Sequence, residues 1–146
     1  MKMLSFIYLF VFNLIISYAN DEWVSINGTL KENYLVKVSS IKKSNNYIKI
    51  WIKQSPVDTE ARNKLIKEYL QIYPVNYKYR KYAYSMYLYG VKCNEDKLAI
   101  LAATDYDEDD NVIYSASYYD LIEFRDAVPE SGGEAILNYV CTHIPK

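Results

Sequence analysis

The chain has 146 residues with 17 Lys+Arg against 18 Asp+Glu, and a net charge of −1 gives it no general attraction to nucleic acid or anionic membrane. At 51% hydrophobic with four Gly and four Pro, it has the composition of one folded domain and not of a disordered tail. A single His and two Cys leave too few ligands for a closed zinc site, so no metal or cofactor is expected.

Residues 1–19 read as a secretory signal peptide: Lys2 in a short positive start, an almost unbroken apolar run from Leu4 to Ile16, then small Ser17 and Ala19 before the cleavage point. The run is too short for a spanning helix, and Asn20-Asp21-Glu22 follows at once. A single mature domain over 20–146 is expected, exported to the periplasm, the medium or the cell surface. No Cys lies beside the cleavage point, so no stable membrane anchor is expected.

Short strands follow over 23–30 and 33–39, with Asn27-Gly28 or Lys31-Glu32 as turn material. The stretch 46–54 alternates cleanly, with Ile48, Ile50 and Ile52 pointing one way and Tyr47, Lys49, Trp51 and Lys53 the other. Between 55 and 73 the period changes: Ala61, Leu65, Tyr69 and Ile72 share a helical face, Ser55-Pro56 would supply the cap and first turn, and Pro74 stops the run. A long aromatic strand or pair of strands covers 77–93, and 97–105, 112–117 and 122–127 continue the sheet. Short links favour antiparallel pairing, because parallel strands need long crossovers. On the strand that ends at Cys93, Ala83, Ser85, Tyr87, Tyr89 and Val91 share the cysteine face, and Tyr82, Tyr84, Met86 and Leu88 share the reverse, unless a bulge shifts the parity.

Ser131-Gly132-Gly133-Glu134 fits a capping box, in which the Ser131 oxygen and the Glu134 carboxylate satisfy exposed backbone N–H groups. Leu137, Val140, Cys141 and Ile144 then line one helical face. In an oxidising compartment Cys93 and Cys141 read as one structural disulfide. The alternatives are buried thiols or a redox pair, and redox pairs usually sit two residues apart. The fold class is therefore α+β: a curved antiparallel sheet of about six strands, a C-terminal helix tethered to one face by the disulfide, and an additional inserted helix.

Three stretches invite a functional reading. Asp105 to Asn111 resembles a calcium loop but lacks the required Gly and Glu at their positions, so it reads as a solvated hairpin turn. Asn76 to Tyr82 interleaves bases with aromatics, as single-strand nucleic-acid readers do; the export signal and net charge argue against that partner and leave strand packing or protein recognition. His143 reads as a helix-end residue near the last carbonyls. Nothing in these stretches supports catalysis.

The order of the pieces has its own meaning. A Trp-led strand, a Tyr-containing strand ending in Ser40-Ile41, and Ile50-Trp51-Ile52-Lys53 precede a variable middle. Val91-Lys92-Cys93, the Tyr106-Asp107 turn into Val112-Ile113, and Val128-Pro129-Glu130-Ser131 opening a helix that ends at Val140-Cys141 complete the series. This series resembles the bacterial surface-adhesin protein E family over nearly the whole mature chain. The resemblance implies a terminal helix tied to a curved sheet, adhesion to host extracellular-matrix or serum proteins, often homodimers, and no catalytic residues. The contact candidates on an exposed basic-aromatic sheet face are Trp51, Lys53, Arg80, Lys81, Tyr82 and Tyr84. The alternative is a periplasmic envelope protein or inhibitor whose partner is another envelope protein. The helical insert at 55–73 departs from the family pattern.

Overall fold

Period-two patterning in the first half of the chain and again after Tyr82 produces one open antiparallel sheet. The computed structural model describes residues 23–26, 29 and 31–143. The leader with its cleavage point, the Asn27-Gly28 turn and Ile144 lie outside them. The strands are β1 (Trp23–Ile26), β2 (Glu32–Lys37), β3 (Lys42–Lys43), β4 (Ile48–Pro56), β5 (Tyr82–Lys92), β6 (Lys97–Asp107), β7 (Val112–Ser117) and β8 (Arg125–Asp126). Six of them form the path β1-β2-β4-β5-β6-β7, with β3 added to β4 and β8 to β6. Helix α1 (Thr59–Ile72) joins β4 to the β5 side, and α2 (Gly132–His143) ends the described chain.

The alternation of β4 sets the two faces. Ile48, Ile50 and Ile52 lie opposite Val91, Tyr89 and Tyr87 of β5, whereas Lys49, Trp51 and Lys53 lie opposite Gly90, Leu88 and Met86. Helix α2 packs on the first of these faces, where Ile136, Leu137 and Val140 join Tyr34, Val36, Ile50, Ile52, Tyr89 and Val91 in the main core. Fully burying such aliphatic side chains is worth about 1.5–3 kcal/mol each. The Cys93–Cys141 disulfide forms, with 5.5 Å between the Cα atoms, and ties α2 to the end of β5. Ile136, absent from the expected helical stripe, is fully buried.

The α2 start follows the capping signature with a shift. Glu134 N–H donates to Ser131 Oγ at 3.3 Å, but the Glu134 carboxylate accepts from Glu130 N–H at 2.8 Å, one residue before the cap. For α1 the expected cap is corrected. Ser55 and Pro56 continue β4, pairing with Asn33 and Glu32, and the helix is capped by Asp58, whose Oδ1 accepts from Ala61 N–H at 2.8 Å. A short carboxylate at the cap satisfies an N–H that the helix leaves without a partner. The helix ends ahead of Pro74, as expected. Two further segments are shorter than expected: 77–81 forms a 3-10 turn, and only Arg125–Asp126 of 122–127 pairs as a strand.

Candidate functional site

The parity of β5 breaks at one residue, and that break decides which tyrosines are available. Tyr82 pairs with Asp107 and Tyr84 with Tyr106, so Ala83 is the extra residue of a bulge. The bulge turns Tyr82 to the Ser85 side. Tyr82 Oη lies 2.9 Å from Ser85 Oγ, and its ring sits 5.1 Å from that of Tyr69 on α1. Tyr82 is 2% exposed. It is a core residue, and the expectation that it lines an exposed contact face is corrected.

Around it α1 is anchored. Tyr79, on the 3-10 turn, stacks near Tyr69 and Tyr73 at 4.8 and 5.6 Å and donates its hydroxyl to Asp105 Oδ2 at 2.7 Å. Ser85 donates to the other oxygen of Asp105 at 2.6 Å. Arg62 of α1 donates to Tyr82 O and forms an ion pair with Glu108. Because Ser85 shares its face with Tyr87, Tyr89 and Val91, α1 and α2 lie on the same side of the sheet. Burial pushes the hydroxyls of Tyr69, Tyr79 and Tyr82 well above the ordinary phenol value. Asp105 is therefore not part of a solvated turn: it is 8% exposed. The turn itself is built by Asp107, whose Oδ1 accepts from Asp109 and Asn111 N–H groups at 2.9 and 2.8 Å.

Arg80 and Lys81 are exposed on the 77–81 turn, away from the flat of the sheet. Lys81 pairs with Asp109 at 3.1 Å, and Lys81 O accepts from Glu108 N–H, so the basic turn faces the acidic one. The interleaved stretch thus separates, with Tyr79 and Tyr82 inside and the charges outside.

Trp51, Lys53 and Tyr84, in contrast, come together on the helix-free face. Lys53 Nζ stands 3.8 Å above the Tyr84 ring, which stacks on Tyr106 at 5.0 Å. Tyr84 also donates its hydroxyl to Asp110 at 2.8 Å; burial, then this bond and the Asp110 charge, push the phenol up to about 12. Across the strands, Trp51 faces Leu88 and Lys53 faces Met86. Lys49 Nζ stands 5.1 Å from the Tyr119 ring and 5.8 Å from that of Tyr47. Trp51 N–H donates to Ser40 Oγ at 2.9 Å, which sets the 38–40 turn beside it. A depression of about 490 Å³ results, lined by Trp51 and Leu88 together with Lys37, Lys42, Lys49, Ser39 and Ser40.

At the other end of this face, Gly90 accommodates rings: a Cβ there would lie 3.1 Å from Tyr47 and 3.3 Å from Phe124. Sequence reasoning placed Lys49, Met86 and Leu88 on the right side but did not nominate them as contacts, and it missed Tyr106. The alternation of β4 carried the signal for Lys49. The cross-strand partners depend on register, which single-strand patterning does not supply. His143 lies at the end of α2, with Nδ1 2.9 Å from Tyr139 O and its ring stacked on Tyr139.

Half-buried aromatic and aliphatic side chains ringed by lysines are the composition of a protein contact face. Among the described residues there is no cluster of His, Cys, Asp and Glu fit to hold a metal, and no helix is long and apolar enough to cross a membrane. Residues 23–142 match the profile of surface-adhesin protein E. No curated protein and no solved structure matches the chain.

Proposed function

Since the chain belongs to the surface-adhesin protein E family, we propose that it is an exported, non-catalytic binding protein whose helix-free sheet face docks a host extracellular-matrix or serum protein. The family suggests an adhesin role at the surface or outside the cell, and the disulfide is consistent with an oxidising compartment. The leader over 1–19 and a single mature domain over 20–146 are part of this reading.

One observation carries the choice of face. Trp51, Lys53 and Tyr84 meet on the side that neither helix covers, while Tyr82 is consumed by the core. Large rigid rings bury much area at small entropic cost, and they dominate binding energy in interfaces. Arg80 and Lys81, exposed on the 77–81 turn, contribute in this reading as outlying charges, which change association rates more than affinity.

The test uses the purified mature chain and immobilised basement-membrane extract or serum proteins. Trp51→Ala with Lys53→Ala is expected to lower capture by about tenfold or more, because loss of a hot-spot anchor costs about 2 kcal/mol. Lys64→Ala with Lys67→Ala, on the exposed side of α1, should leave capture unchanged. Equal capture by the first pair and the parent chain, with both still folded, would contradict the assignment.

A further inference from the structure

The net charge of −1 conceals a segregation of charge between the two sides of the sheet. Strand register places Lys37, Lys42, Lys49, Lys53, Lys92 and Lys97 on the helix-free side, and no Asp or Glu of β1 to β7 is placed there. The carboxylates of β2 and β6 go the other way, and Asp126 of β8 is registered opposite Lys97, away from Lys49 and Lys53. Glu32 accepts from the Tyr34 hydroxyl at 3.0 Å, Asp105 is held by Tyr79 and Ser85, and Asp107 folds into its own turn. Lys92 and Lys97 share Glu95 at 3.0 and 3.9 Å. Lys49 and Lys53 pair with no carboxylate of the described residues; their ammonium groups stand over tyrosine rings instead. Ring faces hold a cation in place without neutralising it.

Trp51 lies between these two lysines on the same side of β4, with Leu88 across from it. Same-face residues of a strand are about 6.6–6.8 Å apart. The face therefore offers cation, apolar surface and cation in a row, at the repeat of an extended polypeptide. We propose that the partner's docking segment is an acidic, extended stretch of protein whose carboxylates meet Lys49 and Lys53 while an intervening apolar side chain packs on Trp51 and Leu88. The proposal rests on the helix-free face being the docking face. A sulfated polysaccharide has charge to offer but no apolar side chain to set on Trp51, and the chain's net charge of −1 gives no general attraction to nucleic acid, which favours protein.

Fluorescence anisotropy with a labelled peptide that repeats Glu-Ser-Tyr-Ser, so that Glu and Tyr alternate along one face of the extended chain, tests it against the same peptide with Gln for every Glu. The Glu peptide is expected to bind about tenfold or more tightly than the Gln peptide, and the difference should shrink as salt rises from about 50 to about 200 mM. Lys49→Gln with Lys53→Gln should abolish the preference, with an unchanged circular dichroism spectrum, and Lys64→Gln with Lys67→Gln should keep it. Equal binding of both peptides, or a preference that survives Lys49→Gln with Lys53→Gln, overturns the proposal. So does binding of phosphatidylglycerol vesicles or a heparin fragment through Lys49 and Lys53 without binding of the Glu peptide. The capture assay separates the two levels. If only the acidic partner is wrong, Trp51→Ala still lowers capture of matrix or serum protein while Lys49→Gln with Lys53→Gln does not; if the docking face is wrong, neither does.

Discussion

Replacing Asp105 by Ala tests whether a buried polar network fastens α1 and its turn to the sheet. Asp105 accepts from Tyr79 at 2.7 Å and from Ser85 at 2.6 Å, and those residues are 2% and 0% exposed. Removing the carboxylate leaves two buried hydroxyls without their acceptor. An orphaned buried donor costs about 1–3 kcal/mol. Ser85 retains Tyr82 at 2.9 Å, which keeps its share near the low end. The expected loss is about 2–4 kcal/mol in urea unfolding followed by far-UV circular dichroism. Asp105→Asn, which keeps shape and one acceptor, should lose less. A double-mutant cycle with Tyr79→Phe should give a coupling of about 1 kcal/mol, since the two groups share one bond. Binding by the folded fraction should be unaffected, because the network lies on the opposite side of the sheet. A loss for Asp105→Ala below about 0.5 kcal/mol would refute the reasoning, because that is the range of an ordinary surface substitution.

Other consequences follow from packing, cross-linking and titration. A Cβ at Gly132 would stand 2.2 Å from Tyr34 Cζ and 2.3 Å from its Oη, and Tyr34 is only 6% exposed, so Gly132→Ala should cost about 1–3 kcal/mol by overpacking. An unchanged denaturation midpoint would show that the ring gives way freely. Cys93→Ser with Cys141→Ser opens a loop with a sequence separation of 48, and chain entropy puts the loss at roughly 4 kcal/mol. Equal stability of the parent chain with and without reductant would contradict this. Burial raises the hydroxyls of Tyr34, Tyr69, Tyr79, Tyr82 and Tyr89, so their contribution to stability is fully present below the unfolded value near pH ~10 and is lost as pH climbs through the folded values. The unfolding free energy should fall as pH rises above about 10, with part of the tyrosinate absorbance appearing only on unfolding. Full titration of all tyrosines in the folded state would be the contrary result.

The parts of this fold that a reader could take from the sequence are those that rest on local pattern. The Ile48, Ile50, Ile52 alternation named the buried side of β4 and, by difference, placed Lys49, Trp51 and Lys53 outside it. The Ser131 to Glu134 signature announced α2, and the pair Cys93 and Cys141, read together with the leader expected over 1–19, announced its tether. What escaped depends on partners distant in sequence. Nothing near Ala83 signals a bulge, yet that one residue moves Tyr82 from the outer face to the core. Asp105 looks like the first residue of a solvated acidic turn until Tyr79 and Ser85 are brought to it by tertiary packing. The α1 cap was misplaced because Ser55-Pro56 has local cap chemistry, but cross-strand pairing with Glu32 and Asn33 extends β4 through both residues.

Lysine acetylation footprinting of residues 20–146, alone and bound to immobilised matrix or serum protein, tests the use of the helix-free face most directly. Protection of Lys49 and Lys53, with Lys64 and Lys67 on α1 modified as readily as before, is the predicted pattern. Protection of Lys64 and Lys67 while Lys49 and Lys53 stay reactive would contradict it.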